Sequence, residues 1–180
     1  MVCASYRSAL RIRLHGDRGS GVDLHRNQIA RKAVRVGPHR HARPLRDRAI
    51  VHLILGTGPR RAEVTGLDLT QLDPREPDEL RRMKKARLND VRGKGRTSRT
   101  VFLARDARHA IADYLEAERP GDTDDHSDAL FLAASSISAR RPGGRLSPRS
   151  INTIVGEIGR LHDAEITGRE RQLGTLRPHD

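Results

Sequence analysis

The stretch from Asp47 to Leu72 constrains the fold more than any other part of the chain. Its first half is apolar at the i, i+3, i+4 spacing of a helix that is buried on most sides. The residues that give this spacing are Ile50, Val51, Leu53, Ile54 and Leu55. Asp47 precedes them and is the predicted N-cap. We therefore expect a central helix that begins at Asp47.

A glycine-rich corner follows that helix, with Gly56, Gly58 and Pro59 predicted to stop it. Arg60 and Arg61 come next, at the edge of what should be a buried element. Arginine is costly to hold near a core, and it is favoured where a fork of donors must grip an oxyanion. The corner therefore indicates an anion-binding site.

The corner sequence T-G-P-R-R-A-E-V-T-G-L resembles the first arginine box of the tyrosine recombinases, the phage-integrase family. That box typically has the pattern T-G-x-R-x-x-E-(L/V)-x-x-L. The matching positions are Thr57, Gly58, Arg60, Glu63, Val64 and Leu67. A box of this length is moderately specific alone, and two further matches follow in the family's order.

A predicted hairpin carries the second match. Residues 83–91 have irregular strand character, Arg92 to Gly95 is a tight turn, and Arg99 to Leu103 is the returning strand. The segment V-R-G-K-G-R-T-S-R-T-V-F-L resembles the family's hairpin, G-K-G-x-K-x-R-x-V-P-L. Lys94 falls on the turn lysine and Arg99 on the strand arginine. Lys94 alone would be read as a solvated turn residue, but the arginine box in register favours a catalytic role.

The third match is the end of the sequence, T-L-R-P-H-D, which resembles the start of the family's second box, T-P-H-x-L-R-H. His179 falls on its first histidine. The family's arginine, second histidine and tyrosine nucleophile do not follow within the 180 residues. We therefore expect a catalytic domain truncated at its C-terminus.

The resemblance implies that a tyrosine hydroxyl attacks a DNA phosphodiester to give a 3′-phosphotyrosyl link. Arg60 would hold non-bridging oxygens, Lys94 would protonate the leaving group, and His179 would be an acid/base partner. No metal or other cofactor is implied. Neither tyrosine of the chain fits the nucleophile, since Tyr6 lies in the basic arm and Tyr114 in a core stripe. The polypeptide alone is therefore expected to be inactive.

The charge distribution indicates a nucleic-acid partner. Residues 1–47 hold 11 Arg and Lys against 3 Asp, which gives +8. The other 133 residues hold 24 against 20, which gives +4. A basic arm before a nearly balanced body is typical of contact with phosphates. The expected partners are double-stranded DNA and, by the resemblance, further recombinase protomers on it.

Two more helices and two loops are predicted downstream. Asp106 to Arg119 should be a helix that Asp106 caps and Pro120 ends, and Ser147 with Pro148 should start another. The helical stripes are Ala107, Ala110, Ile111, Tyr114 and Leu115 in the first, and Ile151, Ile154, Val155, Ile158 and Leu161 in the second. Residues 73–79 are expected to form a polar turn, and Ala129 to Leu132 a short buried segment.

The predicted class is α+β, a mostly helical integrase-like catalytic domain with a small antiparallel sheet. Residues 1–45 would be a basic arm and residues 46–180 the catalytic domain. His39 and His41 are interpreted as loop residues rather than metal ligands. The single Cys3 and the lack of any membrane-length apolar run favour a cytoplasmic, nucleoid-associated protein. A non-catalytic DNA-binding module and a decayed recombinase fragment remain the alternatives.

Overall fold

The structure is a computed structural model that describes residues 43–93, 95, 97–123, 127–134, 144–164 and 172–178. Its helices are α1 (Pro44–Thr57), α2 (Arg61–Thr65), α3 (Pro77–Arg82), α4 (Arg105–Ala117), α5 (Arg119–Asp122) and α6 (Pro148–Asp163). Its strands are β1 (Leu72–Asp73), β2 (Arg87–Arg92) and β3 (Ser98–Phe102). The predicted α+β class is confirmed. The features predicted before residue 43, including His39 and His41, lie outside the described residues.

Helix α1 is the central helix that the apolar spacing predicts. Ile50 is fully buried and Leu53 is 1% exposed, and α1 packs along α4. Its start differs from the prediction, because it begins at Pro44 and Asp47 lies in the first turn. The N-cap, Arg43, makes no side-chain capping bond. Glu118, at the end of α4, caps the helix instead, since its carboxylate accepts the backbone N–H groups of Leu45 and Arg46 at 3.0 and 2.9 Å.

The glycines of the corner have different roles. Gly56 lies inside α1, so the prediction that it helps to stop the helix is wrong. Gly58 is the stop, with φ 63° and ψ 39°, and its N–H donates to the carbonyl of Ile54. That left-handed conformation suits glycine because it has no Cβ. The chain then turns through Pro59 into Arg60 and α2.

The small sheet is antiparallel, with the order β1-β2-β3. Arg87 pairs with Phe102 and Val91 with Arg99, so the predicted hairpin is present. The register shifts between Leu88 and Val91, where Asp90 adopts a positive φ of 51°. This bulge explains the irregular strand character of the sequence.

Residues 73–79 contain more structure than the predicted polar turn. β1 extends into this segment at Asp73, and α3 begins within it at Pro77. Two-residue β1 has too few residues to give an alternating pattern. α3 buries only Leu80 among its six residues, so it gives no apolar stripe in the sequence.

Helix α4 confirms the predicted apolar stripe but not its ends. Its N-cap is Ala104, with Asp106 inside the first turn, and its last residue is Ala117. Pro120 lies in the first turn of α5, so it does not end α4 directly. Tyr114 is fully buried, as expected of a core residue.

Helix α6 starts as predicted. The Ser147 hydroxyl accepts the N–H of Ser150 at 3.1 Å, and Pro148 is the first helical residue. α6 packs against α2. The segment Ala129 to Leu132 is buried, as the sequence predicts. Within the part of the chain that the structure describes, no helix has the length and apolar character to cross a membrane.

Candidate active site

Arg60 is the predicted site residue whose position the structure describes. It stands between Pro59 and the first residue of α2, where its backbone N–H donates to Oε2 of Glu63 at 3.1 Å. Its Nη1 donates to Oε1 of the same carboxylate at 3.2 Å. The i,i+3 spacing allows both bonds, because the third residue of a helix faces back toward its N-cap. Arg60 is thus fixed through its backbone and its side chain.

Glu63 joins that corner to the hairpin. Nη1 and Nη2 of Arg99 donate to its two carboxylate oxygens at 3.1 and 2.7 Å. The Glu63 side chain is 3% exposed, whereas those of Arg60 and Arg99 are 44% and 42% exposed. One buried carboxylate therefore holds two guanidinium groups that face solvent.

The electrostatics follow from this geometry. The hydrogen bonds from Arg99, helped by those from Arg60, hold the pKa of Glu63 below its ordinary value, although burial acts in the opposite direction. The Glu63 carboxylate in turn raises the pKa of Arg99. Glu63 is thus ionised at neutral pH. Among the described residues, the Arg60 side chain donates to Glu63 only through Nη1. Nε and Nη2 of Arg60 therefore remain as donors for an oxyanion.

The end of the hairpin lies beside this group. The N–H of Gly93 donates to the carbonyl of Thr97 at 2.7 Å, which closes the turn. A Cβ built on Gly93 would lie 3.0 Å from Oγ1 of Thr97 and 3.5 Å from Nη1 of Arg99. A side chain at residue 93 would crowd Oγ1 of Thr97, whereas its distance from Nη1 of Arg99 would be an ordinary contact, so the turn lies within van der Waals reach of Arg99. Lys94 itself lies outside the described residues.

A second arginine clamp holds the far end of α2. Nη1 of Arg145 donates to the carbonyls of Thr65 and Leu67 at 2.8 and 2.9 Å, and its Nη2 pairs with Asp68. Carbonyls at a helix C-terminus lack intrahelical partners, and a guanidinium satisfies them well. These bonds of Arg145 join the chain just before α6 to the C-terminal end of α2, the helix that begins directly after Arg60.

Tyr114 is unsuited to nucleophilic attack. Its hydroxyl oxygen accepts the N–H of Leu132 at 3.1 Å, and its ring stacks on Phe131 with 5.7 Å between centroids. Burial raises its pKa to about 12, which keeps the hydroxyl neutral. The prediction that Tyr114 is a core residue is confirmed by its burial and its contacts.

The third predicted site residue, His179, also lies outside the described residues. The described residues contain no cluster of three or more His, Cys, Asp or Glu that could hold a metal ion. Thus the structure brings Arg60 close to Glu63, Arg99 and the turn glycine Gly93.

Glu63 and Arg99 both match the family pattern, but the pattern does not indicate that they pair. One signal was present, since a carboxylate three residues after Arg60 is the spacing of a helix N-terminal bond. The pairing with Arg99 carries no such signal, because 36 residues separate the two.

Comparison with known proteins identifies the family. Residues 27–180 match the family model described as the phage integrase family. The chain is 36% identical over 114 residues to tyrosine recombinase XerC of Mycobacterium sp. (strain KMS), covering 63% of this chain and 32% of that protein. It is 32% identical over 135 residues to XerC of Pseudomonas syringae pv. tomato, covering 74% and 36%.

A solved XerA recombinase structure aligns with a TM-score of 0.47 and 22% identity, covering 72% of this chain and 40% of that one. The chain spans about a third of the length of the XerC relatives described above. The family match covers well over half of the chain, through the arginine corner, the hairpin and α6. The chain therefore belongs to the phage integrase family.

Proposed function

We propose that this chain acts in site-specific recombination or integration of double-stranded DNA, through cleavage and rejoining by a phosphotyrosyl intermediate. The observation that carries the proposal is the Arg60–Glu63–Arg99 group at the base of the hairpin turn. A buried carboxylate that fixes half-exposed guanidinium groups suits preorganised stabilisation of a phosphate. Work on DNA would place the protein on the nucleoid, together with further recombinase protomers.

Each proposed site residue has a distinct role. Arg60 directs its remaining N–H donors to non-bridging oxygens, where negative charge grows in the transition state. Lys94 protonates the 5′-oxygen leaving group, and His179 exchanges protons beside it. The position of Gly93 beside Arg99 supports a place for the following lysine near the arginine corner. None of these steps requires a metal.

The 180-residue polypeptide should bind DNA without cleaving it. Its two tyrosines are Tyr6 and the fully buried Tyr114, and the family's second arginine does not follow His179 within these residues. Arg60 can still orient a phosphate without a nucleophile. The polypeptide by itself therefore fits a DNA-binding module, and the recombination reaction needs a tyrosine from elsewhere.

Salt-dependent DNA binding tests the binding step. The logarithm of the affinity for a duplex should fall linearly with the logarithm of the salt concentration, with a slope of about −0.9 per phosphate contact. Arg60→Gln should weaken binding and reduce the slope by about 1, whereas exposed Arg82→Gln should leave the slope unchanged. Binding that is undetectable at low salt, or equal effects of the two variants, would contradict the proposal.

A nicked DNA substrate that traps covalent complexes tests the chemistry. The 180-residue chain should give no protein–DNA adduct. The chain extended with the family's second box and tyrosine should give one, and Lys94→Ala should slow its formation. A protein–DNA adduct formed by the 180-residue chain would contradict the proposal that this chain binds DNA without cleaving it. If the extended chain gives no adduct, the proposed function in DNA recombination is wrong.

A further inference from the structure

Arg99 lies beside Arg60 but has no role in the proposed reaction. Both side chains donate through Nη1 to Oε1 of Glu63, at 3.1 Å from Arg99 and 3.2 Å from Arg60. Two nitrogens that bond to one oxygen belong to neighbouring groups, so the two guanidinium groups flank the same carboxylate. They are therefore close enough for two oxygens of one phosphate group to contact both.

The bonds to Glu63 leave several N–H donors of Arg99 available. A guanidinium carries five N–H donors in a rigid fork. Nη1 and Nη2 of Arg99 donate to the two carboxylate oxygens of Glu63 at 3.1 and 2.7 Å. Among the described residues Arg99 makes no other side-chain hydrogen bond, so its Nε–H and the second hydrogen of each Nη remain. Nε and the adjacent Nη present parallel N–H groups, the arrangement that grips two oxygens of a phosphate.

The guanidinium of Arg99 is as accessible to an anion as that of Arg60. Their side chains are 42% and 44% exposed, whereas the Glu63 side chain between them is 3% exposed. The ionised carboxylate balances one of the two guanidinium charges, so the group keeps a net positive charge that faces solvent. Guanidinium groups that are already fixed need little reorganisation to bind an oxyanion.

The strand geometry directs Arg99 to the inner face of the sheet. Arg99 pairs with Val91, which is 2% exposed, and residues directly opposite each other share a face. Phe102, three residues along β3, therefore lies on the outer face, where it is 60% exposed and pairs with Arg87. Arg87 forms its own ion pair with Asp73 at 2.8 Å. It is thus an ion-paired arginine of the same hairpin on the opposite face, which makes it the matched control for Arg99.

We propose that Arg99 is a second phosphate-binding residue, which grips a phosphate group together with Arg60 through the donors that its pairing with Glu63 leaves available. The inference rests on the proposed function, in which Arg60 binds a DNA phosphate at this corner. Glu63 then orients both guanidinium groups at once, and the hairpin supplies the second of them.

NMR titration of the 180-residue chain with inorganic phosphate tests the anion site without DNA. The Nε–H resonances of Arg60 and Arg99 should shift with the same apparent dissociation constant, and that of Arg87 should shift far less. Sodium chloride at equal ionic strength is the control for charge screening. A shift confined to Arg60, or equal shifts in chloride and phosphate, would overturn the inference.

A double-mutant cycle with a short DNA duplex separates direct contact from an effect through Arg60. Arg99→Gln should lower the affinity about five- to tenfold at low salt, both in the wild type and in the Arg60→Gln background. Arg87→Gln should leave the affinity almost unchanged in both backgrounds. If Arg99→Gln causes no further loss in the Arg60→Gln background, Arg99 acts only through its neighbour and the inference is wrong.

Arg99→Lys tests whether the fork of donors is needed. Lysine keeps a cation for Glu63 but cannot bind a second partner with two parallel N–H groups. The variant should keep the amide protection of α1 and should bind the duplex at least about threefold more weakly than the wild type. Wild-type affinity in Arg99→Lys would show that a charge beside Glu63 is sufficient, which contradicts the fork contact.

The two titrations distinguish this inference from the proposed function. Inorganic phosphate that shifts both arginines, with no duplex binding at low salt, would contradict the function on DNA while leaving Arg99 as a phosphate-binding residue. Duplex binding that Arg60→Gln weakens and the Arg99 variants do not would overturn the role of Arg99 while leaving the proposed function in place.

Discussion

Glu63 and Arg99 lie 36 residues apart in the chain and form a two-fold ion pair, with N–O distances of 3.1 and 2.7 Å. Glu63 is also bonded to Arg60, three residues before it. The buried carboxylate thus joins the arginine corner to the hairpin. Any displacement of Glu63 would move two cations of the candidate site together.

Replacement of Glu63 by glutamine should destabilise the protein. Hydrogen bonds to charged groups contribute about 1.5–3 kcal/mol, and the amide keeps only one acceptor oxygen for two guanidinium groups. We expect a loss of this size in the free energy of unfolding, measured by denaturant titration. Glu157→Gln is the control, because its exposed i,i+3 pair with Arg160 should contribute less than about 0.5 kcal/mol. Equal effects of the two variants would contradict this prediction.

The stabilisation by Glu63 should depend on pH. Its folded pKa is lowered, mainly by Arg99, below the ordinary glutamate value of about 4.3. The stabilisation is therefore complete above that value and is lost as the pH falls through the lowered pKa. The difference in unfolding free energy between wild type and Glu63→Gln should shrink as the pH falls from about 5 to about 3. A difference that stays constant over this range would show that the carboxylate charge is not its source.

Two glycines of the corner should respond oppositely to alanine. Gly58→Ala places a Cβ at φ 63° and should cost about 1–2 kcal/mol of stability. Gly56→Ala lies inside α1, where its Cβ would meet that of Ala104 at an ordinary 3.7 Å. It should stabilise the protein by about 0.5–1 kcal/mol. Thermal or denaturant unfolding measures both, and a loss of stability in Gly56→Ala would show that the corner tolerates no extra atom.

Tyr114→Phe should affect stability rather than chemistry. The change leaves the buried N–H of Leu132 without its acceptor, which costs about 1–3 kcal/mol in the free energy of unfolding. In the extended, tyrosine-bearing chain, it should leave the yield of covalent DNA adduct unchanged under conditions where the protein is folded. Tyr6→Phe is the matched control for the second tyrosine. A lost adduct with native stability in either variant would identify that tyrosine as the nucleophile.

Removal of the Glu118 carboxylate should loosen the start of α1. Glu118→Ala leaves the N–H groups of Leu45 and Arg46 without their acceptor, and loss of a helix cap costs about 0.5–2 kcal/mol. Amide hydrogen exchange should accelerate at these two residues first. Glu116→Ala, on the same helix, removes an exposed partner of Arg81 and should leave both amides protected. Slow exchange at Leu45 in Glu118→Ala would mean that another group caps the helix.

Much of the fold could be predicted because the sequence patterns that indicate it involve residues close together in the chain. The apolar stripes of α1, α4 and α6 repeat at helical spacing, and the Ser147–Pro148 pair gives the start of α6 its cap and first residue. The helix ends were less predictable. Asp47 and Asp106 are good caps in isolation, but the helices begin three and one residues earlier. A contact across the fold supplies the cap of α1, so the nearest acidic residue is not the one used.

The sequence by itself determined the family, the arginine corner, the hairpin and the core role of Tyr114, since each depends on residue types at short spacing. Only the tertiary structure decided which charges pair. Glu63 meets Arg99, and Glu118 meets Leu45, across 36 and 73 residues respectively. The short elements β1 and α3 likewise depend on their neighbours, because neither buries enough apolar residues to give a recognisable pattern in the sequence. Periodicity reports which face of an element is buried, whereas the partner on that face is set by how the elements pack.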